Sequence, residues 1–221
     1  MVKDVKLQVA LDLLEPTVAI DLAKKLCDAN AVDIVEAGTP LIKSAGIMIV
    51  SALKVTCPGK EVMADLKTMD VGALEARMAI KAGADLLSVL GAAADETIRD
   101  FVREAESLGA KSVVDMIGVK DPISRTGELI GKGIRPSYVG LHLGIDVQVS
   151  RGLSIDELIN EAVEVKRRFN INVAIAGGIN ENVAPKLRDK DLDIVVVGRA
   201  ITQASEPVTA AKNLRRLLGI D

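Results

Sequence analysis

The chain alternates short apolar runs with segments in which apolar residues recur every three or four positions. The short runs consist largely of Val, Ile, Leu and Ala, which is typical of parallel strands buried on both faces. The segments between them, of which residues 153–169 are a clear example, predict amphipathic helices. We predict eight strands, at residues 7–11, 33–36, 61–66, 86–90, 112–116, 137–141, 172–176 and 193–197.

Glycine and proline residues punctuate this alternation. Gly83, Gly109 and Gly133 each follow a helical segment and precede a strand, as helix-ending glycines do. Thr39 and Pro40 predict the N-cap and first turn of the second helix. Eight strands alternating with eight helices favour an α/β fold, a single (β/α)8 TIM barrel that forms one domain over the 221 residues. The alternative is a doubly wound open sheet, which normally uses fewer strands at this length.

Composition excludes two classes of function. Apolar residues make up 49% and charged residues 27% of the chain, which is ordinary for a globular protein. A net charge of −3 and only three aromatic residues argue against nucleic-acid binding. The longest apolar run, residues 45–53, contains Gly and Ser and is too short to span a bilayer.

The two cysteines bear on the cellular compartment. Cys27 and Cys57 lack a CxxC spacing, and no signal peptide accompanies them. Because disulfides persist mainly in oxidising compartments, we expect both residues to be reduced thiols and the protein to be cytoplasmic.

The most informative segment runs from Asp65 to Asp70 and places two carboxylates and an ammonium group within six residues. Residues two apart on a strand point to the same face, so Asp65 and Lys67 are expected to project together, with Asp70 just past the strand. Charged groups beside a buried strand commonly have a partner or a chemical task. The alternative is a structural ion pair at the strand end.

Polar residues and glycines cluster at the carboxyl ends of the predicted strands, where a (β/α)8 barrel has its active site. They are Asp12, Glu36, Asp65 with Lys67, His142, Gly177 with Gly178, and Gly198 with Arg199, at strands one, two, three, six, seven and eight. We therefore expect acidic groups, an ammonium group and the only imidazole of the chain to converge on one rim.

The ends of strands seven and eight predict a phosphate site. Glycines such as Gly177, Gly178 and Gly198 let the backbone approach an anion, and the next helix adds N–H groups. Arg199 can hold phosphate oxygens in a fork, and barrels commonly bind phosphate at this place. The alternative is that Gly178 only makes a tight turn and Arg199 is only a surface residue.

Glu36 and Asp65, on adjacent strands, resemble a site for a hard cation. Two carboxylates completed by substrate oxygens and waters suit Mg²⁺ or Mn²⁺, whereas zinc prefers His and Cys. The alternative is that one of these carboxylates simply pairs with Lys67.

Lys67 and His142 are the candidate groups for proton and charge chemistry. A Schiff-base lysine needs a depressed pKa, whereas Asp65 and Asp70 are expected to stabilise the ammonium form. Lys67 is therefore predicted to stabilise negative charge on an enediolate. For His142 we favour general acid–base catalysis, the alternative being a hydrogen-bonded core histidine.

Six motifs occur along the chain in this order: LQVALD at 7–12, EAGTPLIK at 36–43, Asp-x-Lys-x-x-Asp at 65–70, HLGIDVQ at 142–148, AGGI at 176–179 and VGRAIT at 197–202. Together they resemble the 3-hexulose-6-phosphate synthases, a family within the orotidine 5′-monophosphate decarboxylase suprafamily. The resemblance covers essentially the whole chain. It implies a catalytic barrel that condenses formaldehyde with ribulose 5-phosphate in a Mg²⁺-dependent aldol reaction, giving 3-hexulose 6-phosphate.

The resemblance also implies a homodimer in which the loop that carries Asp70 contributes to the active site of the partner. Carried onto this chain, the catalytic set is Asp12, Glu36, Asp65, Lys67, Asp70 and His142, with Glu36 and Asp65 at the metal and Gly177, Gly178, Gly198 and Arg199 at the phosphate. Leu143 departs from the small polar residue that these synthases often carry there, which bears on the sugar contacts and not on the class.

Three alternative functions stand beside this one. The 3-keto-L-gulonate-6-phosphate decarboxylases tend to carry an Arg where this chain has Ile145. Orotidine monophosphate decarboxylases need no metal, and they continue after the second Asp with an Ile/Thr-Pro type step, where Val71 and Gly72 stand here. A non-enzymatic sugar-phosphate-binding regulatory barrel does not require an Asp-Lys-Asp array. In each case the expected partners are small molecules, with neither nucleic acid nor membrane.

Overall fold

Eight parallel strands pair in sequence order and close into a barrel, because the last strand also pairs with the first. The computed structural model describes residues 5–144 and 155–220. The strands are β1 Lys6–Leu11, β2 Ile34–Ala37, β3 Glu61–Thr68, β4 Leu86–Leu90, β5 Lys111–Asp115, β6 Tyr138–His142, β7 Asn172–Ala176 and β8 Ile194–Val197. The prediction of a (β/α)8 barrel is confirmed, and the open-sheet alternative is wrong.

Helices surround the barrel, and some connections contain more than one. Those of the described residues are α1 Pro16–Asp28, α2 Thr39–Ala45, α3 Met48–Thr56, α4 Gly72–Lys81, α5 Asp95–Ser107, α6 Pro122–Gly131, α7 Ile155–Phe169, α8 Ala184–Leu187, α9 Arg199–Thr202 and α10 Pro207–Leu218. Two helices follow β2 and two follow β8, so the prediction of one helix per strand is too simple there.

The interior of the barrel is divided into an apolar floor and a polar upper layer. The floor is one buried cluster of Ile34, Met63, Leu86, Val113, Tyr138, Ala174 and Ile194. Because side chains on a strand alternate, the next inward position lies two residues further along. That position is Glu36 after Ile34 and Asp65 after Met63. The same period that fills the floor therefore directs these carboxylates toward the carboxyl end of the barrel.

The helix ends are partly as the sequence predicts. Gly83, Gly109 and Gly133 have φ values of 101°, 76° and 73°, in the left-handed region that favours glycine. The N-cap prediction for Thr39 is wrong, because Gly38 is the N-cap and Thr39 is the first residue of α2. The Thr39 hydroxyl instead donates to Asp65, so the site and not the helix uses this side chain.

The prediction of two reduced thiols is also wrong. Cys27 and Cys57 form a disulfide, with 5.5 Å between their Cα atoms. Cys27 lies in the last turn of α1 and Cys57 directly follows α3. The barrel packs these two helices against each other, so residues thirty positions apart meet without any local cysteine motif.

No single helix within the described residues is long and apolar enough to cross a membrane. Among the described helices, α2 and α3 taken together have the length and apolar composition of a membrane span, but they are bent by 112° to each other.

Candidate active site

A cavity of about 870 Å³ lies in the carboxyl-terminal half of the barrel. Its lining includes nine of the predicted site residues, which are Asp12, Glu36, Asp65, Lys67, His142, Gly177, Gly178, Gly198 and Arg199. The prediction that polar strand ends converge on one rim therefore holds for these nine residues. Ile145, Asp146 and Gln148 lie outside the described residues.

Asp65 and Lys67 project together into the cavity, and their side chains form an ion pair with 2.7 Å between Oδ2 and Nζ. The second partner of the ammonium is Asp115, whose Oδ2 lies 3.0 Å from Nζ. Burial lowers the pKa of Lys67, but the charges of the two aspartates and their hydrogen bonds outweigh it and raise the pKa above the usual lysine value. Lys67 is therefore held as a cation, which is unfavourable for a Schiff-base nucleophile.

Asp115 is a further charged residue of the cavity, and it is not among the residues predicted from the sequence. Its Oδ2 lies 3.1 Å from His142 Nδ1 as well as contacting Lys67, and its Oδ1 accepts a 2.9 Å hydrogen bond from the N–H of Ile117. Burial favours a raised pKa, but His142, Lys67 and the Ile117 N–H outweigh it and lower the pKa of Asp115 to about 2. A carboxylate that is ionised at neutral pH therefore joins the ammonium and the imidazole. Every second residue of a strand faces the same side, so counting along β5 from the inward-facing Val113 leads to Asp115.

Neutral polar side chains that were also missed hold the carboxylates in place. The Thr39 hydroxyl donates to Asp65 Oδ2 and the Ser88 hydroxyl donates to Asp65 Oδ1, at 2.8 and 2.7 Å. The Gln8 amide donates to Glu36. Neutral residue types carry little signal by themselves, so only the inward register of Gln8 on β1 and Ser88 on β4 could have singled these two out, and Thr39 lies on α2, outside any strand register.

Asp12 reaches the cavity from the end of β1, against the backbone of Gly38. A Cβ atom at position 38 would lie 2.1 Å from Asp12 Oδ1 and 2.9 Å from the carbonyl oxygen of Leu11. Any side chain at this position would therefore displace the carboxylate. Desolvation and the charge of Asp65 raise the pKa of Asp12, while Lys67 and His142 lower it less.

Glu36 is a buried carboxylate of the cluster and is only 6% exposed. Burial, followed by the charges of Asp65 and Asp12, raises its pKa well above the ordinary glutamate value, and the Gln8 amide and Lys67 offset this only in part. Neighbouring carboxylates that disfavour one another's ionised forms fit a cation between them. Within residues 5–144 and 155–220 there is no group of three or more His, Cys, Asp or Glu side chains that could hold a metal ion. The donors present fit a hard cation that takes its remaining ligands from substrate and water.

Replacing Glu36 by Gln should raise the stability of the metal-free protein. Because the pKa of Glu36 is raised in the folded protein, ionisation of this carboxyl opposes folding. The penalty is absent below the glutamate pKa of the unfolded chain, and it grows as the pH rises toward the pKa of Glu36 in the folded protein. At neutral pH in a chelating buffer, we expect the free energy of unfolding of Glu36→Gln, measured by denaturation, to exceed that of the wild type by on the order of 1 kcal/mol.

Glu61, at the opposite end of the barrel, provides the matched control for Glu36. Its carboxylate is paired with Lys111 and Lys6, and these hydrogen bonds outweigh burial and lower its pKa. Glu61→Gln should therefore destabilise the protein above the unfolded glutamate pKa, where the paired carboxylate contributes its stability. A loss of stability in Glu36→Gln equal to that in Glu61→Gln would contradict this electrostatic assignment.

Asp70 is not brought into the cavity of its own chain. It is exposed, lies between β3 and α4, and accepts a 2.8 Å hydrogen bond from the N–H of Val71. Exposed apolar side chains accompany it along the same segment, namely Met69, Val71, Leu74 and Met78. Asp70 is therefore separated from the five other members of the predicted catalytic set.

The predicted phosphate residues lie together on the other side of the cavity. Gly177 and Gly178 follow β7 with φ values of 109° and 67°, so residues with side chains would be strained there. Gly198 follows the neighbouring strand β8, and exposed Arg199 begins α9. The cavity thus has an acidic half on β1, β2, β3 and β5 and a half lined by glycines and Arg199 on β7 and β8.

The chain matches known proteins along most of its length. A family model described as "Orotidine 5'-phosphate decarboxylase / HUMPS family" matches residues 5–214. The 3-hexulose-6-phosphate synthase of Mycobacterium gastri is 41% identical over 210 residues, covering 95% of this chain and 98% of the relative.

Two solved structures extend the comparison. A crystal structure of a 3-hexulose-6-phosphate synthase is 40% identical with a TM-score of 0.88, covering 96% of this chain and 99% of the other. The 3-keto-L-gulonate-6-phosphate decarboxylase of Vibrio cholerae is 27% identical with a TM-score of 0.84, and each chain is 98% covered. The sequence is therefore nearer to the synthase than to the decarboxylase, while the fold is similar in both.

Proposed function

Because the chain belongs to the orotidine 5′-phosphate decarboxylase / HUMPS family, we propose that it acts as a 3-hexulose-6-phosphate synthase, an aldehyde-lyase. The reaction is the reversible condensation of formaldehyde with D-ribulose 5-phosphate to D-arabino-hex-3-ulose 6-phosphate. The observation that carries this proposal is the hydrogen-bonded series Asp65, Lys67, Asp115 and His142 inside the cavity. It joins a fixed cation to an imidazole, an arrangement that suits the formation and stabilisation of an enediolate.

The two halves of the cavity suit the two ends of a ketose phosphate. Gly177, Gly178 and Gly198 offer backbone N–H groups to the phosphate, and Arg199 supplies the charge. We propose that the carbonyl end of the sugar then lies toward the acidic half. The reacting carbons then lie between Lys67 and His142.

Replacing Arg199 by Ala should weaken substrate binding far more than turnover. A hydrogen bond to a charged group contributes roughly 1.5–3 kcal/mol, so we expect the KM for ribulose 5-phosphate to rise about 10- to 100-fold with kcat nearly unchanged. Steady-state kinetics measures both constants. Arg103→Ala, which removes an exposed arginine of α5 away from the cavity, is the matched control. An unchanged KM in the Arg199 variant would exclude it from the phosphate site.

We propose that Glu36 and Asp65 hold Mg²⁺, or Mn²⁺ in its place. Their support is the burial of both carboxylates and the raised pKa of Glu36 beside two further acidic groups. When bound, such an ion supplies positive charge that polarises the ketose oxygens.

The proton chemistry rests on His142 and Lys67. His142 bonds Asp115 through Nδ1, which leaves Nε2 to remove a proton from carbon 1 of the ketose. The Lys67 ammonium stabilises the negative charge of the resulting enediolate. Carbon 1 then attacks the carbon of formaldehyde and forms the new carbon–carbon bond, and the alkoxide that arises from the formaldehyde oxygen is protonated by the imidazolium.

The exposed position of Asp70 fits a homodimer. Its side chain does not line the cavity of its own chain, and Met69, Val71, Leu74 and Met78 beside it would lose contact with water in an interface. We therefore propose that a second copy packs on this segment and that Asp70 completes the partner's site.

The 3-keto-L-gulonate-6-phosphate decarboxylase activity is the second candidate, favoured by the 27% identity to a structure of that name. Both reactions pass through an enediolate, so the substrate that is consumed separates them. The test is incubation with ribulose 5-phosphate, formaldehyde and Mg²⁺, with and without a chelator, against incubation with 3-keto-L-gulonate 6-phosphate. Chelator-sensitive loss of formaldehyde supports the synthase, and release of CO₂ from the second substrate alone would overturn it.

A further inference from the structure

Strand β3 is irregular where it enters the site. It advances four residues from Ala64 to Thr68 while β4 advances only two, from Leu87 to Val89. Lys67 has a φ of 48°, in the left-handed region that residues with side chains rarely adopt. The regular ladder of hydrogen bonds to β4 is therefore interrupted at residues 65–67. A backbone N–H in such a bulge needs another acceptor.

Ser88 on β4 supplies that acceptor. Its hydroxyl accepts a 3.0 Å hydrogen bond from the N–H of Lys67 and donates a 2.7 Å hydrogen bond to Asp65 Oδ1. Ser88 is only 1% exposed, so water cannot readily replace either bond. A single hydroxyl thus fixes both a carboxylate and the backbone that carries the neighbouring ammonium.

The other oxygen of the same carboxylate is also occupied. Asp65 Oδ2 accepts hydrogen bonds from the Thr39 hydroxyl and from Lys67 Nζ, at 2.8 and 2.7 Å. With donors on both oxygens, the carboxylate has one orientation. Removing Ser88 would release Oδ1 and the bulged backbone together.

We propose that Ser88 is a positioning residue that bridges the β3 bulge and so holds Asp65 and Lys67 in the arrangement that the reaction uses. The structural half of this inference concerns the bulge alone, whereas the functional half rests on the proposed function. Ser88 itself exchanges no proton with the substrate in this assignment.

Ser112 offers a matched control. It is 2% exposed, lies on β5, and its hydroxyl accepts a 3.1 Å hydrogen bond from the N–H of Ser137. This is the same kind of buried bond to a neighbouring segment, but Ser112 does not line the catalytic cavity. Ser112→Ala therefore removes an equivalent hydroxyl without touching Asp65 or Lys67.

Amide hydrogen exchange tests the structural half, independently of any activity. In Ser88→Ala we expect the amide of Lys67 to exchange faster while that of Ser137 is unchanged. In Ser112→Ala we expect the reverse. An unchanged exchange rate at Lys67 in Ser88→Ala would overturn the role of Ser88 in the bulge.

Calorimetry of Mg²⁺ binding to the sugar-free protein, together with kcat and KM, tests the functional half. We expect Ser88→Ala to weaken Mg²⁺ binding or activity roughly 10- to 100-fold, the usual effect of removing a partner that orients a ligand, and Ser112→Ala to match the wild type. Threonine and valine have nearly the same shape and differ in the hydroxyl. The variants Ser88→Thr and Ser88→Val therefore provide the test if Ser88→Ala does not fold.

Two outcomes separate this inference from the proposed function. Suppose that the wild type binds Mg²⁺ and consumes formaldehyde. The functional role of Ser88 would then be overturned if Ser88→Ala behaved like the wild type, or if Ser88→Thr and Ser88→Val behaved alike. A wild type that does neither would overturn the proposed function, while exchange at Lys67 would still decide whether Ser88 bridges the bulge.

Discussion

Replacing Lys67 by Met should lower kcat/KM for the condensation by roughly a hundred- to a thousandfold, the usual effect of removing one group that stabilises an oxyanion. Lys67 is the side chain that contacts both Asp65 and Asp115. Methionine keeps an unbranched side chain of similar length but has no charge, so the enediolate loses its fixed cation.

The same substitution should also destabilise the fold in a pH-dependent way. Asp65 and Asp115 are 6% and 5% exposed, and removing one partner from a buried ionic group costs about 3–5 kcal/mol. The penalty arises only while Asp115 is ionised, so the difference from wild type should be larger at about pH 7 than near pH 2, where this carboxylate takes up its proton. Denaturation at the two pH values measures it.

Lys54→Met is the control for Lys67→Met. Lys54, on α3, forms a 2.5 Å ion pair with Asp85, the residue before β4, and neither residue lines the cavity. Loss of this pair should leave kcat/KM unchanged. Full activity in Lys67→Met would remove the ammonium from the mechanism.

Replacing His142 by Ala should stop exchange of the carbon-1 proton of ribulose 5-phosphate with deuterated water. General acid–base groups contribute roughly a hundred- to ten-thousandfold, so the exchange rate should fall by that factor while sugar binding is largely retained. Nuclear magnetic resonance of the sugar, without formaldehyde, follows this step alone.

Arg199→Ala serves as the comparison, because at saturating sugar it should exchange the proton almost as fast as the wild type. The Asp115→Asn variant should exchange slowly, since an amide in place of the carboxylate no longer fixes the imidazole through Nδ1. Undiminished exchange in His142→Ala would remove this imidazole from the role of base.

Much of the fold follows from the sequence because buried parallel strands and amphipathic helices have distinct periods. The predicted strands 86–90 and 172–176 match β4 and β7, and the other six differ from the observed strands by one or two residues at either end. The bulge in β3 was not foreseen, because two extra residues in a strand leave its apolar pattern intact. The Cys27–Cys57 disulfide was missed because it depends on the packing of α1 against α3 and not on local spacing.

The cavity residues that the sequence singles out are those of unusual type at strand ends. Glu36, Asp65, Lys67 and His142 stand out because charged and imidazole groups are uncommon beside buried strands. Asp115 obeys the same rule and was overlooked. Ser88 and Thr39 could not be recognised from residue type, because their role depends on contacts across strands. Asp70 differs from them, since its proposed role requires a second chain.

The most direct test of the central claim follows the carbon of formaldehyde itself. Wild-type protein, ribulose 5-phosphate and Mg²⁺ are incubated with ¹³C-labelled formaldehyde, and the products are examined by carbon nuclear magnetic resonance. We expect the label to appear as a hydroxymethyl carbon bonded to the former carbon 1 of the pentose, in a six-carbon 3-ketose phosphate. Label that remains entirely in formaldehyde, under conditions in which the protein is folded and binds ribulose 5-phosphate, would contradict the account.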